Sequence, residues 1–452
     1  MPVDKPWASD DNIALFTDLY ELTMLQAYWR EGMTDEAVFS LFVRRLPETR
    51  NFLLACGLAD VLAYLDGVRF SDASLRYLAA LGGFEAKFLA WLADFRFTGD
   101  VWAVPEGTPV FANEPILEIA APLPEAQLVE TFVMNQIHLA TVLASKAARV
   151  VAAAQGRPVV DFGPRRMHGT DAAIKGARAF HIAGVAATSN VLAGRLLGLP
   201  VTGTMAHSYI QAHDDEAQAF RAFAALYPET VLLVDTYDTL AGVDRAIALA
   251  RELGDGFKIR ALRLDSGDLA GLAVETRRRL DSAGLQRVEI FASGGLDENA
   301  IAALVAKGAP IDGFGVGTGM GVAEDAPGLD IAYKLCAYAG KGRLKLSHGK
   351  PILPGRKQVF RAGTDNGATG DVIARAEENL PGRALLAPVM RKGKTCPGAV
   401  PDLPESRARA AREIAALPDA ARGLEPAASP YPVAVSPTLA EYRRAVAKSV
   451  GG

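Results

Sequence analysis

The sequence predicts an α/β protein whose centre is a barrel over residues 150–340. Two observations carry this. Seven short apolar runs end in small or polar residues: VVDFG (159–163), HIAGVA (181–186), PVTGT (200–204), VLLVDT (231–236), ALRLDS (261–266), VEIFASGG (288–295) and DGFGVGT (312–318). Near-continuous apolarity fits parallel strands covered on both faces. Most runs are followed by helical stretches, and such alternation over this distance is the pattern of an α/β barrel.

The flanking elements follow in order. Residues 1–149 read as largely helical at first, with Leu15, Leu19, Leu22 and Tyr28 on one stripe and 72-DASLRYLAALGGF-84 as another. From Thr98, GDVWAVPEGTPVFANEPILEIAAPLP alternates around Pro and Gly and reads as short strands. A long helix is expected at roughly 125–155. Inside the barrel, Asp297 opens DENAIAALVAKG, with Ile301, Leu304 and Val305 on one face and Gly308 as a stop. Residues 341–452 are short-stranded and turn-rich, then Ala/Arg/Pro-rich with helical pieces. The terminal segments, 1–149 and 341–452, are expected to build a second α+β domain together.

Composition narrows the function. A net charge of −4 gives no global basic field for nucleic acid. Cys56, Cys336 and Cys396 are widely separated, which argues against a disulfide framework or a cysteine zinc site. MPVDKPWASDDN has no apolar signal core, and residues 196–213 make a poor membrane helix. A cytoplasmic protein without membrane or nucleic-acid partners is expected.

In such barrels the chemistry lies at the C-terminal strand ends. Ser293-Gly294-Gly295 and Gly315–Gly319 end the last two runs, and glycine lets backbone N–H groups approach one anion. Two such turns together favour a phosphate site over two merely tight loops. In 263-RLDSGDL-269, Asp265 and Asp268 can face a sugar diol or a magnesium ion bound to phosphates, although Ser266 or Asp268 also fits a helix cap. Arg165 and Arg166 match a carboxylate or phosphate oxygen pair, or else pair with neighbouring acids. His207, in 203-GTMAHS-208, reads three ways: a core histidine, an incidental loop residue, or a catalytic group around which small neighbours leave room. His168, His181, His213 and His348 show no metal-ligand spacing with it.

Taken together, FTDLYELTM (16–24), FGPRRMHG (162–169), TSNVLAGRLLGLPVTGTMAHS (188–208), VDTYDT (234–239), RLDSGDL (263–269), ASGGLDE (292–298) and GFGVGTG (313–319) resemble nicotinate phosphoribosyltransferase. The resemblance implies an irregular seven-stranded phosphoribosyltransferase barrel (type II). It implies formation of nicotinate mononucleotide and pyrophosphate from nicotinate and phosphoribosyl pyrophosphate, with magnesium and coupled ATP hydrolysis. It also implies a homodimer with shared active sites. By the same resemblance His207 carries a transient phosphate, and Arg165, Arg166 and Arg263 meet substrate. Tyr20 covers the pyridine ring from the partner subunit, with Asp18 near it. Asp265 and Asp268 meet ribose and magnesium, with Asp235 and Thr204 among the substrate contacts. Ser293, Gly294, Gly295, Gly317 and Thr318 cradle the 5′-phosphate. Pro164 and His168 depart from the family pattern, which commonly has leucine and glutamine there. The rivals are a nicotinamide or quinolinate phosphoribosyltransferase of the same barrel type, a phosphate-binding isomerase or aldolase barrel, and a non-catalytic binding protein.

Overall fold

The computed structural model describes residues 7–346, 352–364 and 367–450; His348 lies outside them. The chain divides into two units, one of residues 1–142 with 328–452 and one of residues 143–327.

In the first unit, strands from both ends of the chain interleave. Ile331–Tyr338 pairs antiparallel with Glu36–Val43, which pairs on its other side with Pro115–Pro122. Asp100–Ala103 and Ala387–Arg391 continue this sheet, and a four-stranded sheet is built from Lys357–Thr364, Gly367–Arg375, Arg383–Ala384 and Val433–Val435. The start is largely helical, as expected, with one long strand not expected there. Helices Leu19–Glu31, Leu58–Gly67, Asp72–Leu81 and Ala86–Ala93 form, but the central strand Glu36–Val43 runs through them. It is buried at every residue after Glu36, so it has no polar alternation to reveal it. Leu22 and Leu25 anchor the first long helix, whereas Leu19 is exposed.

The second unit holds a six-stranded parallel sheet: β1 (Val159–Asp161), β2 (Ala187–Thr188), β3 (Val231–Leu233), β4 (Ala261–Leu264), β5 (Glu289–Ala292) and β6 (Gly313–Val316). The spatial order is β2-β1-β6-β5-β4-β3. The first strand pairs with the last, through Phe314 against Val159 and Val316 against Asp161, as a curled sheet requires. Beyond β2 the sheet is extended, among the described residues, by one bridge, Thr188 to Val201. Among the described residues no ladder joins Val201 to β3, so the sheet keeps a seam there.

Two of the seven expected strands are thereby corrected. HIAGVA is the last three residues of helix α1 (Thr170–Ala183) and the turn that follows, not a strand. Its apolarity belongs to the buried helix face of Ala177, Phe180 and Ile182. Gly184, at φ 114°, closes the helix: its N–H reaches the His181 carbonyl and the Val185 N–H reaches that of Phe180. PVTGT contributes only the Val201 bridge; Pro200 has no N–H to donate, and Gly203 has no side chain to pack.

Between the strands run α2 (Val191–Leu197), α3 (His207–Gln211), α4 (Glu216–Leu226), α5 (Thr239–Leu253), α6 (Leu269–Ser282) and α7 (Glu298–Ala306), with the short α8 (Thr318–Gly321) after β6. Their starts are fixed by side chains. Asn190, Asp215, Asp238 and Asp297 each accept from an N–H in the first turn, which satisfies one otherwise unpaired donor. Ile301 and Leu304 form the buried face of α7. Among the described residues no helix is long and apolar enough to cross a membrane.

Candidate active site

The C-terminal ends of the parallel strands open into a cleft with two lobes. One, of about 270 Å³, lies against the turns at 293–297 and 315–319. The other, of about 520 Å³, lies against residues 203–207 and Ser189. Phe162, Arg165, Arg263 and Asp265 line both, so the lobes meet across one set of side chains.

Asp161, at the end of β1, is fully buried. It accepts from the Gly163 N–H at 2.8 Å and the Thr188 hydroxyl at 2.7 Å. Burial pushes its carboxyl above the ordinary value. It shapes the turn that presents Phe162, Arg165 and Arg166. Those two arginines are exposed on a single 3-10 turn. Among the described residues Arg165 has no hydrogen-bond or ion-pair partner, so its guanidinium fork is open to a ligand.

Arg263 is different. Its Nε donates to Ser293 Oγ at 2.8 Å, one terminal nitrogen to Thr204 Oγ1 at 2.8 Å and the Met205 carbonyl at 3.3 Å, and the other to Asp265 Oδ1 at 2.7 Å. Of five N–H groups, one remains. The guanidinium also lies 5.4 Å from the centre of the Phe162 ring. Arg263 is thus a hub tying the ends of β4 and β5 to the 203–205 segment. The Ser293 and Thr204 hydroxyl oxygens both accept from it, and Thr204 donates in turn to the Met205 carbonyl. Ser293 is buried and also donates to Asp265 Oδ1.

Asp265 carries its free oxygen toward His207: Oδ2 is 3.6 Å from Nε2. Burial alone would raise its carboxyl, but Ser293, Arg263 and His207 outweigh this and hold it below the usual value. Asp235 stands behind. Its Oδ2 accepts from the Asp265 N–H at 3.0 Å and the Ser266 hydroxyl at 2.6 Å. Its buried Oδ1 has no hydrogen-bond partner among the described residues and lies 4.0 Å from His207 Nε2. On the other edge of the imidazole, Nδ1 is 3.1 Å from Thr236 Oγ1. His207 opens α3 just past the seam, part-exposed, where no strand ladder crowds it.

The glycine turns have the close approaches that glycine exists to allow. At Gly294, φ is +86°, and an added Cβ would stand 1.7 Å from the Asp265 carbonyl oxygen. Gly295, Gly317 and Thr318 line the same lobe. Asp268 lies outside both lobes, exposed at the head of α6 and making no capping bond. Tyr20 and Asp18 belong to the other unit. Asp18 accepts from the Thr131 hydroxyl at 2.8 Å, and Tyr20 is 49% exposed.

Among the described residues no group of three or more His, Cys, Asp or Glu side chains could cage a metal ion. Magnesium commonly takes one or two carboxylates and completes its shell with water and substrate phosphates. The Oδ2 of Asp265 fits that lesser demand.

Sequence reasoning singled out neither Phe162 nor Thr236 as a site residue. Both were legible in part: each adjoins a strand-end acid, Asp161 or Asp235, inside a quoted motif. The first unit contains an apolar cavity of about 350 Å³ among Phe42, Phe111, Ile373 and Val433. Its buried Lys357 is bound to Glu118, so it offers no comparable convergence of reactive groups.

Comparison with known proteins decides the family. The profile of the nicotinate phosphoribosyltransferase (NAPRTase) N-terminal domain matches residues 15–138, and that of the NAPRTase family matches residues 158–369. The chain belongs to the nicotinate phosphoribosyltransferase family. Nicotinate phosphoribosyltransferase pncB2 of Mycobacterium tuberculosis is 61% identical over 94% of this chain and 91% of its own. The Bacillus subtilis nicotinate phosphoribosyltransferase is 42% identical over 82% and 78%. The crystal structure of human nicotinic acid phosphoribosyltransferase superposes with a TM-score of 0.86 at 30% identity, covering 95% of this chain and 99% of that one. In this transferase the two-lobed cleft falls within the second profile match, and Asp18 and Tyr20 fall within the first.

Proposed function

We propose that this transferase joins nicotinate to phosphoribosyl pyrophosphate, releasing nicotinate mononucleotide and pyrophosphate, and that ATP hydrolysis is coupled to the reaction through a phosphate carried on His207. The observation that carries the reading is the imidazole of His207, set between Thr236 and Asp265 in the same cleft as the two glycine turns.

The 5′-phosphate belongs in the smaller lobe, against Gly294, Gly295, Gly317 and Thr318. The pyridine ring belongs on Phe162, with its carboxylate on the free fork of Arg165 and the one spare N–H of Arg263. The pyridine nitrogen attacks the anomeric carbon with a lone pair free at neutral pH, so no general base is required. A bond forms from that nitrogen to the carbon, and the bond to pyrophosphate breaks with its electron pair leaving on oxygen. Positive charge grows on the ribose, and the Asp265 carboxylate favours it. Magnesium, when bound with the phosphates, neutralises charge on the leaving pyrophosphate.

The imidazole accepts the γ-phosphoryl of ATP: an N–P bond forms and ADP departs. The phosphate adds close to two negative charges at the mouth. Beside Asp265 and Asp235, that charge would help these carboxylates hold a divalent cation, which would in turn favour binding of phosphoribosyl pyrophosphate. Hydrolysis to inorganic phosphate then resets the ring.

We read unit two as the irregular seven-stranded barrel, with Val201 in the seventh position, and the active assembly as a cytoplasmic homodimer. The exposed run of Phe16, Leu19 and Tyr20 supports a partner contact there. Turnover of nicotinate, nicotinamide and quinolinate, with and without ATP, tests the reading. Nicotinate mononucleotide with an ATP-dependent rise in yield is expected; preference for either other acceptor would overturn it.

A further inference from the structure

Away from the reacting groups, the second unit buries a charge cluster that the mechanism does not use. Lys146 and Arg149 lie on the helix Glu130–Ala153. The side chain of Lys146 is 2% exposed, and its ammonium bridges two carboxylates, Glu298 and Asp325, the latter at 2.8 Å. Arg149 Nε holds the other Glu298 oxygen at 2.9 Å. The Glu298 side chain is 1% exposed and that of Asp325 20%, although Asp325 as a whole lies at the surface. Two cations thus face two anions, with most of the cluster withdrawn from water.

The two carboxylates sit at informative places. Glu298 begins α7, directly after Asp297, which lines the smaller lobe at the end of the Ser293–Gly295 turn. Asp325 directly follows Glu324, which lines the same lobe from the segment after Gly317–Gly319. The two walls of the lobe come from different strand ends. A backbone cradle holds an anion well only when its walls keep their spacing. A lysine is a costly choice for filling space in a core, because desolvation offsets much of what a buried ion pair gains.

We propose that Lys146 is a positioning residue for the phosphate lobe: by bridging Glu298 and Asp325 it fixes the separation of the two glycine turns and thereby sets affinity for the 5′-phosphate. This rests on the assignment of that lobe to the 5′-phosphate. The lysine touches no substrate and acts through the two turns.

The test is calorimetric binding of ribose 5-phosphate, alongside KM and kcat for phosphoribosyl pyrophosphate, in wild type, Lys146→Met, Asp325→Asn and Thr318→Val. Both tether variants are expected to weaken ribose 5-phosphate binding and raise that KM by about tenfold. The KM for nicotinate and labelling of His207 by ATP stay at wild-type values. Asp325→Asn leaves Lys146 paired with Glu298, so it decides the matter if Lys146→Met does not fold. Unchanged binding in a folded tether variant, with Thr318→Val still weakening it, overturns the proposal alone. If Thr318→Val also binds like wild type, the assignment of the lobe falls and the proposal falls with it.

Discussion

Nε2 of His207 lies 3.6 Å from Oδ2 of Asp265, and Asp265 is itself held by Arg263 and Ser293. The imidazole is therefore oriented by groups that the substrate lobes also touch. Anything that loosens the Arg263 hub reaches both lobes.

Thr236→Val removes the hydroxyl 3.1 Å from Nδ1 while keeping the side-chain shape. The ring loses one of the contacts that set its tautomer and tilt. Phosphate transfer from ATP is expected to slow by about tenfold, a loss of about 1.4 kcal/mol. Turnover without ATP should change little. Rapid-quench measurement of labelled protein checks this.

Arg263→Lys keeps the charge and loses the planar fork. A single ammonium cannot span Ser293, Thr204, Met205 and Asp265 together. At least one buried partner loses its hydrogen bond, at a cost of about 1–3 kcal/mol. We expect the KM for nicotinate and that for phosphoribosyl pyrophosphate to rise together, since Phe162 and Asp265 shift with the hub. A rise confined to nicotinate would show that Arg263 acts only on the carboxylate.

Gly294→Ala places a methyl group 1.7 Å from the Asp265 carbonyl oxygen at a φ of +86°. No rotamer relieves a Cβ clash, so the turn between β5 and α7 must move. Activity should be lost, with destabilisation of about 2–3 kcal/mol. Gly295→Ala, with φ +62° and open space around the added atom, should cost less. Paired urea titrations distinguish them.

Glu21 gives the first unit a pH dependence. Its carboxyl is fully buried and is pushed up to about 7, mainly by burial, with Glu130 and Asp18 adding; hydrogen bonds from Tyr20 and Gln127 oppose the shift. The folded state thus favours the protonated acid more than the unfolded chain does. Stability is highest below about pH 4.5 as far as this group is concerned, and falls as pH rises through about 7, by up to about 3 kcal/mol. Glu21→Gln should flatten that loss and melt at a higher temperature than wild type at pH 8. An unchanged slope between pH 5 and 8 would refute this role.

Legibility followed the physics of each element. Strand ends with a charged or glycine residue after an apolar run, such as β4 before Asp265 or β5 before Gly294, stood out because burial and chemistry change within one residue. The strand Glu36–Val43 did not, because burial on both faces erases alternation. HIAGVA misled for the opposite reason: a tightly packed helix end is as apolar as a strand. Within the site, residue types were readable but allegiance was not. Arg263, Thr204 and Ser293 are polar strand-end residues like Arg165, yet they bind one another, and only the hydrogen-bond pattern separates a hub from a free fork. The reading of Asp268 rests on its spacing to Asp265, and spacing does not show that it stands exposed at the head of α6, lining neither lobe.

The central claim is that His207 carries phosphate between ATP and the transferase reaction. Its most direct test is incubation with γ-labelled ATP, followed by intact-mass and peptide analysis under alkaline conditions. A single acid-labile phosphate on the peptide containing His207 is expected, absent from His207→Ala, whose remaining nicotinate turnover no longer responds to ATP. Full ATP stimulation in His207→Ala, or label on another residue, would contradict the account.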